Sequence, residues 1–419
     1  MVDRPPRWLI LSQYYAPELG APQIRLASLA RELRRHGIEV GVITGMPNYP
    51  TGRTFEGYQG RLAMREIVDG VPVTRTWLMP AAGRSAPLRL ANYLSFTATA
   101  TVAAVAARRP DVLFVESQPL SLGWAAMVLG QVRGVPFVYN VPDLQVDVAR
   151  QLGMLRNHRL LALAQAMEDR FLDAAWKVST VTDGFVEYFR GRGISPGKIT
   201  FLPNGADADF LRPMPADPEL LQRWGLAGKI VFAYVGTHAI YHGLDTLVRA
   251  AGIVQRRDPR VHVLFVGDGP EREPMRRLAA ELDLSNVTFG ESPYKEMARL
   301  YSIAHGAVAT LRDLPVAEGM RLSKVFPALA CGVPVIYSGR GEAAAILEEE
   351  GCGVVTPPED PPALADAMLR LANDISGSQA LGAAGRALIE RQYSWSSIVD
   401  RWLGELGSPY GPRPASRLR

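Results

Sequence analysis

Two successions of short apolar runs, each run followed by a helical pattern, constrain this chain more than any other feature. Residues 8–11, 40–44, 112–116, 136–141, 177–181 and 199–202 are rich in β-branched or aromatic side chains at strand length. After the segment PNGADADF the alternation begins again, with runs at 230–235, 261–266, 287–289, 307–311, 333–337 and 353–356. Such alternation predicts parallel sheets covered by helices on both faces. Leu26, Leu29 and Leu33 form the stripe of a first helix that Gly37 stops, and Leu244, Leu247, Val248, Ala251 and Val254 take the same place in the second succession. A chain of 419 residues suits two such cores, so the expected class is α/β with two Rossmann-like, doubly wound parallel-sheet domains. The expected divisions are 1–207 and 208–390, a last amphipathic helix within 391–408 and a disordered Pro- and Arg-rich tail at 409–419, with the linker near 204–214. Residues 363–392 read as surface helices.

Composition narrows the function classes. With 46 Lys and Arg against 42 Asp and Glu the net charge is only +4, and no basic block interleaves with aromatics. That excludes nucleic acid as the expected partner and favours anionic small molecules or an anionic membrane surface. Cys331 and Cys352 are the only cysteines, each beside a glycine turn, and are expected as buried thiols in a reducing cytoplasm. The opening MVDRPPRWLILSQYY reads as a first strand, not a signal peptide. The apolar stretch 90–106 is interrupted by Asn92, Ser95 and several threonines and falls short of the roughly 20 apolar residues a spanning helix needs. It is expected as a buried or interfacial helix.

In open α/β sheets ligands sit beyond the carboxyl ends of strands, where glycine turns and helix N-termini present free N–H groups. Four loops qualify. The first, YYAPELGAP, follows the opening strand and carries Tyr15 and Gly20. The second, VGTH continuing to YHGLD, offers Gly236 and Thr237 to a pyrophosphate, with His238 or His242 as a partly cationic helper. The third, VGDGPE, holds Gly267 and Gly269 but lacks the third glycine of a dinucleotide fingerprint. In the fourth, MRLSKVF, Ser323 and Lys324 are expected to begin a helix whose lysine and N–H groups converge on diphosphate oxygens.

Taken in order, YYAPELGAPQIR, TGMPNYPTG, STVTDGF, FLPNGAD, VFAYVGT, VGDGPE and SK followed by ACGVPVI resemble the retaining GT-B glycosyltransferases of family four, the bacterial polysaccharide and lipopolysaccharide branch in particular. The resemblance spans nearly the whole chain. It implies a GT-B fold with its two domains facing across a cleft, the C-terminal one binding a nucleotide-sugar donor (UDP-, dTDP- or GDP-linked), the N-terminal one an acceptor, and the final helix crossing back. It implies transfer to a saccharide, polyprenyl-linked or natural-product hydroxyl, with retention and without cofactor or metal, in the cytoplasm and peripherally at the inner face of the cell membrane. Residue by residue, Gly20 flanks the transferred sugar, Thr237 contacts phosphate, and Ser323 with Lys324 holds the diphosphate. Asp143 and Asp147 lie in the sugar-facing loop, and Tyr15, Asn48 and Tyr49 on the acceptor side. The implied catalytic set is Asp143, Lys324 and Gly20. The chain departs from the pattern at Pro327, where the family carries a ribose-binding glutamate, which leaves Glu342 or a neighbour to take that role. A histidine is missing near Pro142, and His238 and His242 stand where Arg and Lys are expected after Gly236. Weaker or pH-dependent phosphate binding is the physical consequence.

Three other readings are weighed. Asp207 and Asp209 have the spacing of an A-type transferase's metal pair, although a turn after PNG explains them equally. A nicotinamide-dependent oxidoreductase fits two Rossmann-like halves but not the incomplete glycine fingerprint. A catalytically impaired sugar-nucleotide-binding partner protein fits Pro327.

Overall fold

The computed structural model describes residues 4–18, 20–49, 51–81, 85–147, 157–314 and 322–407. The expected tail at 409–419 lies outside them. The chain forms two compact units: Met1–Val181, Phe185–Pro203 and Val399–Arg419 in the first, Thr182–Gly184 and Asn204–Ile398 in the second.

The first unit is built on strands β1 (Arg7–Leu11), β2 (Glu39–Gly45), β3 (Ala63–Val68), β4 (Val71–Thr76), β5 (Val112–Glu116), β6 (Phe137–Val141), β7 (Lys177–Thr180) and β8 (Ile199–Phe201). Their order in the sheet is β3-β4-β2-β1-β5-β6-β7-β8, and all pairings are parallel except β3 with β4. β5 and β6 are buried along their whole length, as strands covered on both faces must be. The hairpin of β3 and β4 has no counterpart in the apolar runs of the sequence. Its edge strand alternates exposed and half-buried positions and carries Arg65 and Glu66, so it reads as polar loop. The first helix, Ala21–Arg35, buries Leu26, Leu29 and Leu33 completely.

Helix Ala86–Ala106 buries Phe96, Ala100 and Ala104 against this sheet. Its outer face remains apolar: Leu90, Leu94 and Val102 are 57%, 51% and 71% exposed. No helix among the described residues is long and apolar enough to cross a membrane. The last helix, Trp395–Leu406, brings Trp402 into this unit's core. Its indole lies edge-on to Trp8 and Phe114, with ring centroids 5.8 Å away in each case, and its Nε1 donates to Thr200 Oγ1 at 3.2 Å. Each edge contact adds about 0.5–1.5 kcal/mol beyond area burial.

The second unit holds β9 (Ile230–Val235), β10 (Val261–Val266), β11 (Val287–Gly290), β12 (Gly306–Thr310), β13 (Val335–Ser338) and β14 (Gly353–Thr356), all parallel, in the order β11-β10-β9-β12-β13-β14. The chain starts in the middle, winds outward one way, then returns to wind the other. This is the Rossmann order, and it puts the switch point between β9 and β12. Helix Leu244–Arg257 buries the predicted stripe and packs on helix Pro361–Asn373. The helices at Pro361–Asn373 and Ile375–Leu388 were expected on the surface. The first instead buries Leu364, Ala365, Ala367, Met368 and Leu371, because its alanines let it lie close to its neighbour. Asp207 and Asp209 sit in a turn in which Asp207 Oδ1 accepts from the N–H groups of Asp209 and Phe210, both at 3.2 Å. Cys331 and Cys352 are buried free thiols.

Candidate active site

Beyond the carboxyl ends of β9 and β10 in the second unit, three glycines make a close backbone crossing. Gly236, Gly267 and Gly269 have φ of +136°, +139° and +152°, conformations that disfavour any side chain. A Cβ on Gly267 would run into the Gly236 carbonyl, and one on Gly269 would lie 2.5 Å from His238 O. The strand-end hydrogen bonds continue through this crossing: Gly236 N donates to Val266 O at 2.8 Å and His238 N to Asp268 O at 2.9 Å.

Lys324 reaches into the crossing from the N-cap of the short helix Val325–Ala330, so that Ser323 and Lys324 both stand just ahead of its first turn. Its Nζ donates to Tyr234 Oη at 2.6 Å and to Thr237 O at 2.8 Å, and lies 3.0 Å from His242 Nδ1. The Ala239 N–H reaches the same Nδ1 at 3.3 Å, and His242 Nε2 lies 3.1 Å from the same Nζ. Among the described residues no carboxylate pairs with Lys324, and burial pulls its amine well below the ordinary lysine range. Ser323 precedes it in the turn, half-buried.

The histidines are not the cationic helpers the sequence suggested. His242 is buried against Tyr234 and Lys324, and His238 is fully buried with neither ring nitrogen hydrogen-bonded. Burial, reinforced by the Lys324 charge, lowers His238 to about 4 and His242 to about 3. Both imidazoles are therefore neutral near pH 7. Arg312 braces the same loop, donating to Ile240 O, Asp245 and Glu359 at 2.9 Å each.

In the first unit, buried Glu18 ties together the loops that follow β1 and β2. Its Oε1 accepts from Asn48 N at 2.7 Å and Tyr49 N at 2.8 Å, and its Oε2 from Tyr15 N at 3.3 Å. Tyr15, Asn48 and Tyr49 are thus brought together, with Tyr14 edge-on to Tyr49. Gly20 caps the first helix in an extended conformation (φ 172°) that any residue can adopt. Deeper, Arg25 pairs with Glu116, which also accepts from Asn140 Nδ2 at 2.9 Å. Asp143 accepts from Gln118 Nε2 at 2.7 Å, and Asp147 accepts from the Tyr188 hydroxyl.

Comparison with known proteins decides the family. Residues 20–205 match the family described as "Glycosyl transferase 4-like domain" and residues 229–374 that described as "Glycosyl transferases group 1". The chain belongs to the GT4-type glycosyltransferase family. It is 30% identical over 252 residues to a GDP-mannose-dependent alpha-(1-6)-phosphatidylinositol monomannoside mannosyltransferase of Mycobacterium tuberculosis, covering 57% of this chain and 64% of that one. The match thus spans somewhat less than two thirds of that relative's length. To the O-antigen chain mannosyltransferase C of Escherichia coli it is 26% identical, over 62% of this chain and 68% of that one. The fold is that of sucrose-phosphate synthase from Thermosynechococcus elongatus, with a TM-score of 0.72, 22% identity and 96% and 98% of the two chains covered. This is the GT-B fold.

Against that family, Pro327 occupies the third position of helix Val325–Ala330, where its missing N–H costs nothing, and its carbonyl accepts from Cys331 N at 3.2 Å. Glu342, the expected substitute, opens helix Glu342–Glu349, and its Oε1 accepts from Gly184 N at 2.7 Å within the second unit. Tyr234 and Glu18 escaped the sequence reading. A tyrosine ending an apolar strand looks like core, and a glutamate in a glycine loop looks solvated.

Proposed function

We propose that this GT4-type protein is a retaining, metal-independent glycosyltransferase, moving a sugar from a nucleotide-diphosphate donor to a hydroxyl of a saccharide, lipid-linked saccharide or natural-product acceptor. The observation that carries the reading is Lys324: an amine at the carboxyl end of the central strand, among neutral acceptors, beside glycines that admit a close ligand. A diphosphate leaving group builds up negative charge as the sugar departs, and a cation with backbone N–H groups stabilises it. Lys324, Ser323 and the Gly236–Thr237 backbone are the proposed diphosphate contacts, Glu342 the proposed ribose contact, and Gly267 and Gly269 the floor beneath the nucleoside. In the first unit, Tyr15, Gly20, Asn48, Tyr49, Asp143 and Asp147 are the proposed sugar and acceptor contacts.

The names of the mannosyltransferase relatives make GDP-mannose the first donor to try. A lipid-linked acceptor and peripheral membrane association are supported by the apolar outer face of helix Ala86–Ala106, which carries Arg89 and whose Val102 lines a groove with exposed Leu62 and Arg65. The test is mass-spectrometric turnover of a nucleotide-sugar panel with acceptor extracts, followed by NMR of the product's anomeric configuration. Transfer that survives exhaustive chelation and retains configuration supports the reading. Loss of activity restored by manganese overturns metal independence.

Pro327 favours one second reading, a sugar-nucleotide-binding partner protein with impaired chemistry. Donor binding without transfer or hydrolysis across the panel would establish it.

A further inference from the structure

A groove of about 680 Å³ runs between helix Ala86–Ala106 and the β3–β4 hairpin, wholly within the first unit. Ala98, Val102 and Ala106 line it from the helix at four-residue spacing, and Ala63, Arg65, Thr74 and Thr76 from the hairpin. The hairpin residues are cross-strand partners, Ala63 with Thr76 and Arg65 with Thr74. Thr99 Oγ1 donates to Trp77 O at 2.7 Å, which sets the helix against the Ala63–Thr76 end and leaves Ala106 and Ala107 running toward Arg65. The charges at this margin are of one sign. Arg65 lines the groove, Arg61 precedes its Leu62 and Arg108 follows its Ala107; all three are exposed and have no carboxylate partner among the described residues. Glu66 points to the other face of the hairpin, where Arg75 and the Tyr58 hydroxyl hold it. The carbonyls that end the helix and would repel an anion are already occupied: Arg133 Nη1 donates to Val105 O at 2.8 Å and Ala107 O at 2.6 Å.

We propose that this groove takes one acyl chain of an anionic phospholipid, with the lipid phosphate against Arg65 and Arg108. The inference rests on the membrane association proposed above and adds to it a lipid site of defined place, since a face that merely lies on a bilayer needs no groove. Hydrocarbon walls ending at unpaired arginines match the two halves of such a lipid, chain and phosphate. A second copy of the chain is the rival occupant, because β3 is the outermost strand of its sheet and pairs only with β4. Edge pairing of two copies would bring Arg61 and Arg65 of each against the other, and like charges on an edge strand oppose that association.

The test is isothermal titration of the full chain with dihexanoyl and diheptanoyl phosphatidylglycerol, both kept below micelle formation, and with their phosphatidylcholine counterparts. The expected result is saturable binding that prefers phosphatidylglycerol and is about fourfold tighter for the longer lipid, as one further methylene enters the groove. Arg65→Gln and Arg108→Gln are each expected to weaken it about fivefold. Ala98→Phe and Ala106→Phe, at exposed positions, fill the groove while adding apolar surface. Both are expected to lose the monomeric lipid yet still sediment with anionic vesicles, which separates a chain in the groove from a face on a bilayer. Binding of monomeric lipid unchanged in both filled variants overturns the groove. A wild type that sediments with vesicles but binds no monomeric lipid also overturns it, while membrane association stands; a wild type that does neither overturns both. A dimer in analytical ultracentrifugation that the filled variants abolish gives the groove to a second copy and overturns the lipid site.

Discussion

Gly236 and Lys324 meet so closely that a methyl group on the glycine would have to push the lysine side chain aside: a Cβ built there lies 2.5 Å from the lysine Cε. Glycine is needed twice here, for this contact and for a φ of +136°. Gly236→Ala is expected to cost about 1–3 kcal/mol of stability through backbone strain and to weaken donor binding by displacing the amine. Chemical denaturation and donor titration measure the two separately, and a variant with wild-type affinity removes the contact from the account.

Arg25 and Glu116 form a buried ion pair linking the first helix to the end of β5. Removing one partner strands the other charge, so Arg25→Ala is expected to destabilise by about 3–5 kcal/mol. The double replacement Arg25→Met with Glu116→Leu is expected to recover most of that loss. Urea unfolding of the three proteins checks it.

How much of this was legible beforehand depends on what a residue type alone reveals. The fully buried parallel strands, such as VHVLFV of β10, announce themselves by unbroken apolar runs. The β3–β4 hairpin did not, because Arg65, Glu66 and Arg75 read as solvated although Arg75 is completely buried and donates to Gly45 O at 3.3 Å. Glycine loops pointed to Gly236, Gly267 and Gly269, since glycines at strand ends have few other uses, while Lys324 was legible as the lysine of a Ser-Lys pair at an expected helix start. The protonation of His238 and His242 was misjudged, because burial sets it and burial is a property of the folded packing. Tyr234 and Glu18 were overlooked for the same reason.

Both imidazoles leave a pH signature on stability. Their folded values, about 4 for His238 and about 3 for His242, lie below the ordinary 6.5, so the unfolded chain binds protons more readily. Their contribution is present above pH 6.5 and is lost as pH falls toward those folded values, by about 1.4 kcal/mol per pH unit for each group. Urea unfolding between pH 7 and 4 is expected to show this loss, reduced in slope for His238→Asn. An unchanged slope in the variant contradicts the assignment.

Glu18 joins three backbone N–H groups from two loops. Glu18→Ala leaves those donors without their acceptor and is expected to cost about 1–3 kcal/mol. Hydrogen exchange of Asn48 and Tyr49 reports the loosening directly, and protection equal to wild type would sink the proposed tie.

The outer face of helix Ala86–Ala106 makes the opposite kind of prediction. Leu94→Glu and Val102→Glu replace exposed side chains and are expected to leave stability within about 0.5 kcal/mol. Sedimentation with anionic vesicles is expected to fall sharply in both. Equal sedimentation of the wild type with neutral and anionic vesicles, unchanged in the variants, removes the membrane face.

The central claim is that Lys324 anchors the diphosphate of a sugar donor. Thermal unfolding with UDP-, GDP-, dTDP- and ADP-linked sugars tests it most directly, since a ligand bound to the native state alone raises the melting temperature by mass action. At least one donor is expected to raise the wild-type midpoint and to leave Lys324→Ala, folded by circular dichroism, unmoved. A shift of the same size in the variant contradicts the account.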